Sequence, residues 1–387
     1  VPVSLSIRNR LDTQHKVFAA FALYAFAMGS VYPRFAEVMA TMGVQESIFG
    51  LALIGAPIGT FLALTFASPI IEKIGFRQVV LWGIPLIGFF YALALQVNKP
   101  LHFFFMLIPA GVAIGCLEIV INVEADRTEA LLERRIMNRS HSFWSFGFFA
   151  AGLSGAIFAY FDIAPRVHLI IVFLAIIPTV LWLLGDFTPA PARTNETSAP
   201  RFALPTMPIL VLVVVTLPAM LMEGAGLDWS AIYMDKTFSS SAFMAGIAVA
   251  VVTLSQALAR YYADGFVDRY SPDAVGRVLL MILIAGILLV LFPVSVPISL
   301  AGFAIMGIGT SVLFPLAMSA AAQRTDRSAT VNVAALAQIS FCTFLVGPPL
   351  LGFVAEYLGV HWVYGCGIPF ALLALTVVRT LATGGQK

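Results

Sequence analysis

Charge is scarce in this sequence. Only 11% of its 387 residues are Asp, Glu, Lys or Arg, where a soluble domain typically carries about a quarter. The 22 basic and 20 acidic residues leave a formal net charge of +2, without the strong basic bias that a nucleic-acid partner would need. Cysteine is rare as well. Cys116, Cys342 and Cys366 all fall in apolar segments, with neither metal-type spacing nor a disulfide framework. The five histidines (His15, His102, His141, His168 and His361) are scattered, so no metal site is expected. No nucleotide-binding loop, nucleophile arrangement or extended soluble domain is present, which argues against an enzyme and against a resident cofactor.

Apolar residues are abundant: they make up 60% of the chain, and the mean hydropathy is +0.95. They are arranged in stretches of about 20 residues, the length an α-helix needs to cross a bilayer. The chain therefore reads as an all-α membrane protein of twelve transmembrane helices. They are predicted near 17–38, 46–71, 76–97, 101–124, 140–161, 166–185, 207–234, 242–264, 275–293, 297–322, 329–355 and 361–382. The first run is too long for a signal-peptide core and reads as a mature helix. Residues 186–206, DFTPAPARTNETSAPRFALPT, are rich in Pro, Ala, Ser and Thr and read as a flexible connector. They divide the chain into a six-helix unit at 1–185, a linker at 186–206 and a second six-helix unit at 207–387.

With the N-terminus placed in the cytoplasm, eighteen of the 22 Lys and Arg residues fall on the cytoplasmic side, Arg77, Arg127, Arg260 and Arg269 among them. Only Arg34, Lys99, Arg166 and Lys236 fall on the other. That bias sets both termini and the connector in the cytoplasm. Shifting the sequence by 196 residues lays GLALIGAPIGTFLALTFASPIIEKIG, from Gly50, over GIAVAVVTLSQALARYYADGFVDRYS, from Gly246. Glu72 then meets Asp268 and Lys73 meets Arg269, in the charged loop after the second helix of each half. Two parallel, pseudo-symmetric repeats are implied.

Twelve helices in two parallel halves, a central connector and a charged loop after helix 2 resemble the major facilitator superfamily over the whole chain. The loop signature of that family is partly kept in SPIIEKIGFR and ADGFVDRYS, and the resemblance implies a gating role for Glu72, Lys73, Asp268 and Arg269. The alternative is a plain topology loop. GCLEIVIN, residues 115–122, is similar to the fourth-helix signature of fucose-permease-type sugar:proton symporters. That likeness implies Glu118 as the protonatable carboxylate and Asn122 as a hydrogen-bonding cavity residue. The coupling aspartate of the fucose permease would fall near Gly29, where this chain has no acid before Glu37. HSFWSFG in helix 5 and EGAGLDWSAIYM in helix 7 resemble a neighbouring bacterial subgroup that includes permeases for rhizopines, which are amino-inositol compounds.

Glu118 and Asn122, four residues apart, share one helix face. An acid inside the membrane usually faces a water-filled cavity or a partner. Glu118 is therefore expected to carry the coupled proton, the alternative being that it only ties helix 4 to a neighbour. Glu223 and Asp228 in helix 7 are expected to reach the cavity if Gly224 and Gly226 unwind the helix. Arg34 lies at similar depth and is expected to pair with Asp228 or Glu223 as a gate near the outer mouth, the alternative being that it snorkels to the interface. Tyr24, Trp144 and Trp229 are candidate stacking surfaces for a ring-shaped polar ligand, although Trp and Tyr also serve as interfacial anchors. The amides Gln256 and Gln338 are candidate substrate ligands or helix–helix bridges.

Together these residues predict a secondary transporter, monomeric and set in the cell inner membrane. It moves a small polar solute of sugar, polyol or amino-inositol type by alternating access, in symport with protons drawn by their gradient. A proton-coupled exporter of drugs or metabolites is the alternative. The absence of an internal proline from helix 5, which has Gly147, Gly152 and Gly155, weakens it.

Overall fold

The structure, a computed structural model, describes residues 11–134, 136–192 and 203–382, except for the side chains at 264 and 268. Within them, twelve helices are long and apolar enough to cross a membrane. In the first half these are α1 (Thr13–Met42), α2 (Glu46–Phe66), α3 (Phe76–Ala94), α4 (Pro100–Leu132), α5 (Met137–Tyr160) and α6 (Pro165–Leu184). In the second they are α7 (Met207–Asp228), α8 (Ala242–Ala263), α9 (Pro272–Leu291), α10 (Val296–Ala322), α11 (Ala329–Leu358) and α12 (Trp362–Leu381). The described residues contain no β-strand. The twelve predicted spans appear one for one, with α1 starting earlier and α4 running on to Leu132. Large apolar side chains such as Trp82, Leu174 and Trp182 point outward, as a lipid-facing surface requires.

The internal repeat is visible in the helix boundaries. α2, α3 and α4 begin at Glu46, Phe76 and Pro100, while α8, α9 and α10 begin at Ala242, Pro272 and Val296, each 196 residues on. The first helix of each half also breaks at the same depth. α1 is interrupted by a 3-10 turn at Tyr32–Arg34 built on Pro33, whose missing N–H cannot continue the ladder. α7 ends at Asp228, and after Trp229 the chain resumes as a short helix, Ser230–Phe238. The repeat offset sets Pro33 against Trp229. The break therefore lies at Trp229, not at Gly224 and Gly226, which stay helical. Gly226 instead admits close packing, since a Cβ there would lie 3.0 Å from Val252 and 3.2 Å from Met306.

Between helices in lipid there is no hydrophobic drive, so close approach at small residues does the packing. α4 and α2 meet backbone to backbone at Gly55, Gly59, Gly111 and Gly115, and Thr60 donates to the Gly111 carbonyl at 3.1 Å. Two long seams join the halves, beside smaller contacts of the 3-10 turn in α1 with α8 and with the short helix after α7. α5 packs along α8, with Gly152 against Ala250 and Gly246 against Ala156. The first part of α2 packs on the last part of α11, whereas the second part of α2 barely touches it.

The connector is more firmly seated than its composition predicts. Phe187 and Ala190 are buried, and the Ala190 N–H donates to Glu124 Oε1 at 2.6 Å. Lys16 reaches Asp186 at 2.8 Å, and Arg77 donates to the Gly185 carbonyl. At the other end, the Ala203 N–H donates to Gln338 Oε1 at 3.0 Å and Arg327 to the Leu204 carbonyl at 2.8 Å. Backbone groups leaving a membrane helix need partners, and these polar residues supply them. Residues 193–202 of the connector lie outside the described set.

Candidate functional site

The carboxylate of Glu118 is held on both oxygens. Tyr24, buried on α1, donates its hydroxyl to Oε1 at 2.7 Å. Asn122, one turn further along α4, donates to Oε2 at 3.0 Å and to the Glu118 carbonyl at 2.8 Å. The expected shared face of Glu118 and Asn122 is present, and Tyr24 bridges it to α1. Tyr24 therefore acts here as a hydrogen-bond donor. Two further phenols, Tyr32 and Tyr91, lie near Tyr24 and are hydrogen-bonded to each other.

Asp228, the last residue of α7, faces the same cluster from the other half. Its charge acts on Tyr32, Tyr91 and Tyr364. Among the described residues no basic side chain pairs with Glu118 or with Asp228. Trp229 follows in the helix break, fully buried, and its indole N–H has no partner among the described residues.

Glu223 belongs to a second cluster, toward the connector face, whose centre is Arg260 on α8. Arg260 Nη2 bridges both Glu223 oxygens at 3.1 and 3.2 Å. Nη1 donates to Ser145 on α5 at 2.9 Å, and Nε donates to the Ser311 carbonyl at 2.9 Å, where α10 breaks. The guanidinium also lies 5.8 Å from the centre of the Trp144 ring, a cation–π arrangement. Gln256, one turn before Arg260, accepts from Ser145 at 3.3 Å and donates to Thr310 at 3.4 Å. The Trp144 indole N–H has no partner among the described residues. One cation thus ties α5, α7, α8 and α10 together.

Counting charges along the sequence assigns Arg260 to the cytoplasmic loops. The structure corrects this: its side chain is 11% exposed and paired within the helical layer. Its spacing of four from Gln256 was the signal available. The gate pairing expected of Arg34 is also corrected. Arg34 is buried and pairs with Glu37, through Nε and through Nη2 at 2.8 Å, and Nη2 also donates to the Ile163 carbonyl at 2.7 Å. The 3-10 turn at Pro33 aims it at the α5–α6 loop, and an acid three residues on neutralises it. Gln338 Oε1 accepts from the Ala203 N–H of the connector at 3.0 Å. Glu72 and Lys73 are exposed and form no ion pair among the described residues. Arg269 lies over Tyr270 at 5.6 Å, and the Asp268 side chain is outside the described set.

Comparison with known proteins follows the same lines. Residues 214–384 match the family model described as Major Facilitator Superfamily. An uncharacterized transporter, y4wD, of Sinorhizobium fredii is 27% identical over 355 residues, covering 90% of this chain and 93% of that protein. An uncharacterized MFS-type transporter of Yersinia pestis is 26% identical, with 97% and 96% covered. Among solved structures, a mutant of the nucleoside transporter NupG superposes with a TM-score of 0.74 at 12% identity, covering 97% of this chain and all of that one. The E. coli fucose:proton symporter FucP superposes at 0.61 and 16% identity, with 98% and 100% covered. At these identities the solved structures speak for the fold.

Proposed function

We propose that the chain is a transporter of the major facilitator superfamily, and that it carries a small polar, ring-shaped solute across the membrane by alternating access, in symport with protons. The observation that carries this reading is the pair of acids without a basic partner among the described residues. Glu118 comes from one half, held by Tyr24, and Asp228 from the other, with Tyr32, Tyr91 and Tyr364 within reach of its charge. Acids placed this way inside a membrane serve proton relays and solute sites. The phenols, Asn122 and the unpaired indole N–H groups of Trp144 and Trp229 offer the hydroxyl-matching donors and flat surfaces that a sugar, inositol or amino-inositol needs. FucP, a fucose:proton symporter, and NupG, a nucleoside transporter, carry ring-shaped hydroxylated solutes on the same fold.

In this reading, Glu118 exchanges its proton with water from one side of the membrane at a time. Tyr24 and Asn122 orient its two oxygens, so loss of the proton and movement of α1 against α4 are linked. The connector face is cytoplasmic, and the protein works as a monomer in the inner membrane. The seam between α2 and α11 parts toward that face, so the conformation is inward-open. The test is a thermal-shift screen of the purified protein at two pH values, against sugars, inositols, amino-inositols, nucleosides, amino acids and hydrophobic cations. A ligand at a hundredfold its Kd stabilises by about 2.7 kcal/mol. Stabilisation by a sugar, inositol, amino-inositol or nucleoside that weakens in Glu118→Gln is expected. Stabilisation by hydrophobic cations alone would overturn the solute class and leave an exporter.

A further inference from the structure

On the face opposite the connector, the turn between α5 and α6 meets the break in α1 at a buried polar corner. α5 presses on the break so closely that a Cβ on Gly155 would strike Pro33 and lie 3.5 Å from Arg34 Cδ. Arg34 is 1% exposed, with Nε and Nη2 on Glu37 and Nη2 also on the Ile163 carbonyl. Its third nitrogen, Nη1, is buried without a partner among the described residues. His168, at the start of α6, is fully buried and within reach of the Arg34 charge. Its ring packs on Phe158 of α5 at 4.4 Å between centres, and Nε2 meets Ser154 Oγ at 3.2 Å. His168 Nδ1 is likewise buried without a partner among the described residues.

The hydrogen-bond network assigns the proton on the imidazole. Ser140, Ser142 and Ser145 of α5 each donate to the carbonyl four residues back. Ser154 makes no such bond among the described residues, so its hydroxyl hydrogen goes to His168 Nε2. The ring proton then sits on Nδ1. The corner therefore holds two buried N–H donors, from Arg34 and His168, and neither has an acceptor. Burying a donor without an acceptor is costly. Water is a poor occupant, because it brings two hydrogens of its own while Glu37 and the Ile163 carbonyl are already engaged by Arg34. An anion brings acceptors alone. Its charge is favoured by the positive end of α6, and Glu37, 30% exposed, only partly cancels the field of Arg34.

We infer that this corner binds one small monovalent anion of chloride size, held by Arg34 Nη1 and His168 Nδ1. The anion ties the break in α1 to α5 and α6. It involves neither Glu118 nor Asp228, so it stands apart from the proposed transport.

The experiment measures binding of radiolabelled chloride to purified full-length protein by scintillation proximity, with gluconate holding the ionic strength constant. One chloride per chain is expected, displaced by bromide and nitrate, with a rise in Tm that saturates over the same concentrations. His168→Phe keeps the packing on Phe158 and removes the Nδ1 donor. It is expected to weaken chloride binding roughly tenfold or more and to lose the chloride-dependent rise in Tm. No bound chloride in the wild type would overturn the inference and leave water in the corner. So would wild-type affinity in His168→Phe, which would put the anion elsewhere. Should that variant not fold, anomalous scattering from bromide in crystals of the wild type decides: a peak between Arg34 and His168 supports the site, and its absence there overturns it. Neither solute nor proton gradient enters these readouts, so a failed anion site and a failed proton coupling register separately.

Discussion

The two seams between the halves are built differently. The α5–α8 seam has small residues toward the opposite face, where Gly152 meets Ala250 and Gly246 meets Ala156. Toward the connector face it has a polar clasp of Ser145, Gln256 and Arg260, and beyond that Arg139 lies 5.8 Å from the Tyr261 ring. It is held over its whole depth. The α2–α11 seam is held near the opposite face, by Gly50, Gly352 and the Glu356 carboxylate on the Ser47 N–H, and it parts below. The difference shows where motion is cheap. Separating α2 from α11 costs contacts already few, whereas separating α5 from α8 on the connector side would strip a buried cation of its partners.

That contrast can be broken most severely at Gly152. A leucine there has no room, since even a Cβ would lie 2.8 Å from the Ala250 nitrogen. Gly152→Leu is expected to abolish folded protein, seen as loss of the monodisperse peak in size-exclusion chromatography. Next in size is Arg260→Ala. Its side chain and that of Glu223 are 11% and 13% exposed, and removing one partner of a buried pair costs about 3–5 kcal/mol. A large fall in Tm is expected, partly recovered by adding Glu223→Gln. An unchanged Tm would mean that the clasp does not hold the seam.

Tyr24→Phe is smaller. It removes one hydrogen bond to a carboxylate, worth about 1.5–3 kcal/mol, and is expected to slow proton-driven uptake several-fold without loss of fold. The smallest effect concerns the connector. The hydrogen bond from Lys16 is the main cause holding Asp186 below its ordinary value of 3.8, and that from Asn332 does the same for Asp326. A depressed carboxylate contributes stability above its ordinary range and loses it as pH falls through the folded value. Hydrogen exchange over residues 186–192 is therefore expected to stay slow from pH 7 to about 4 and to quicken below. Lys16→Ala should raise the pH at which that loosening begins. Equal profiles in both proteins would remove Lys16 from the anchoring.

Spans, repeat and the acid in α4 were legible because each is a local or periodic signal. The run around Glu118 declares itself by contrast with its neighbours. Arg260 was hidden because a basic residue near a helix end counts equally well as a loop charge, and only its partners Glu223 and Ser145, 37 and 115 residues away, reveal it. Repeat symmetry points Arg34 across to α7, whereas the turn at Pro33 aims its side chain toward Ile163 and Glu37. The apolar surroundings of Gln338 give no sign that the backbone of Ala203, 135 residues away, donates to it. The phenols Tyr32, Tyr91 and Tyr364 went unmarked, since tyrosine in an apolar run also reads as an interfacial anchor.

In the proposed mechanism Glu118 links solute movement to protons. Proteoliposomes carrying wild-type protein or Glu118→Gln, loaded with a pH-sensitive dye and given the solute identified by thermal shift, test it most directly. Wild type should acidify the lumen as solute enters and accumulate solute against its gradient. Glu118→Gln should do neither, yet still exchange labelled for unlabelled solute. Equal acidification and accumulation in the two proteins would contradict the account.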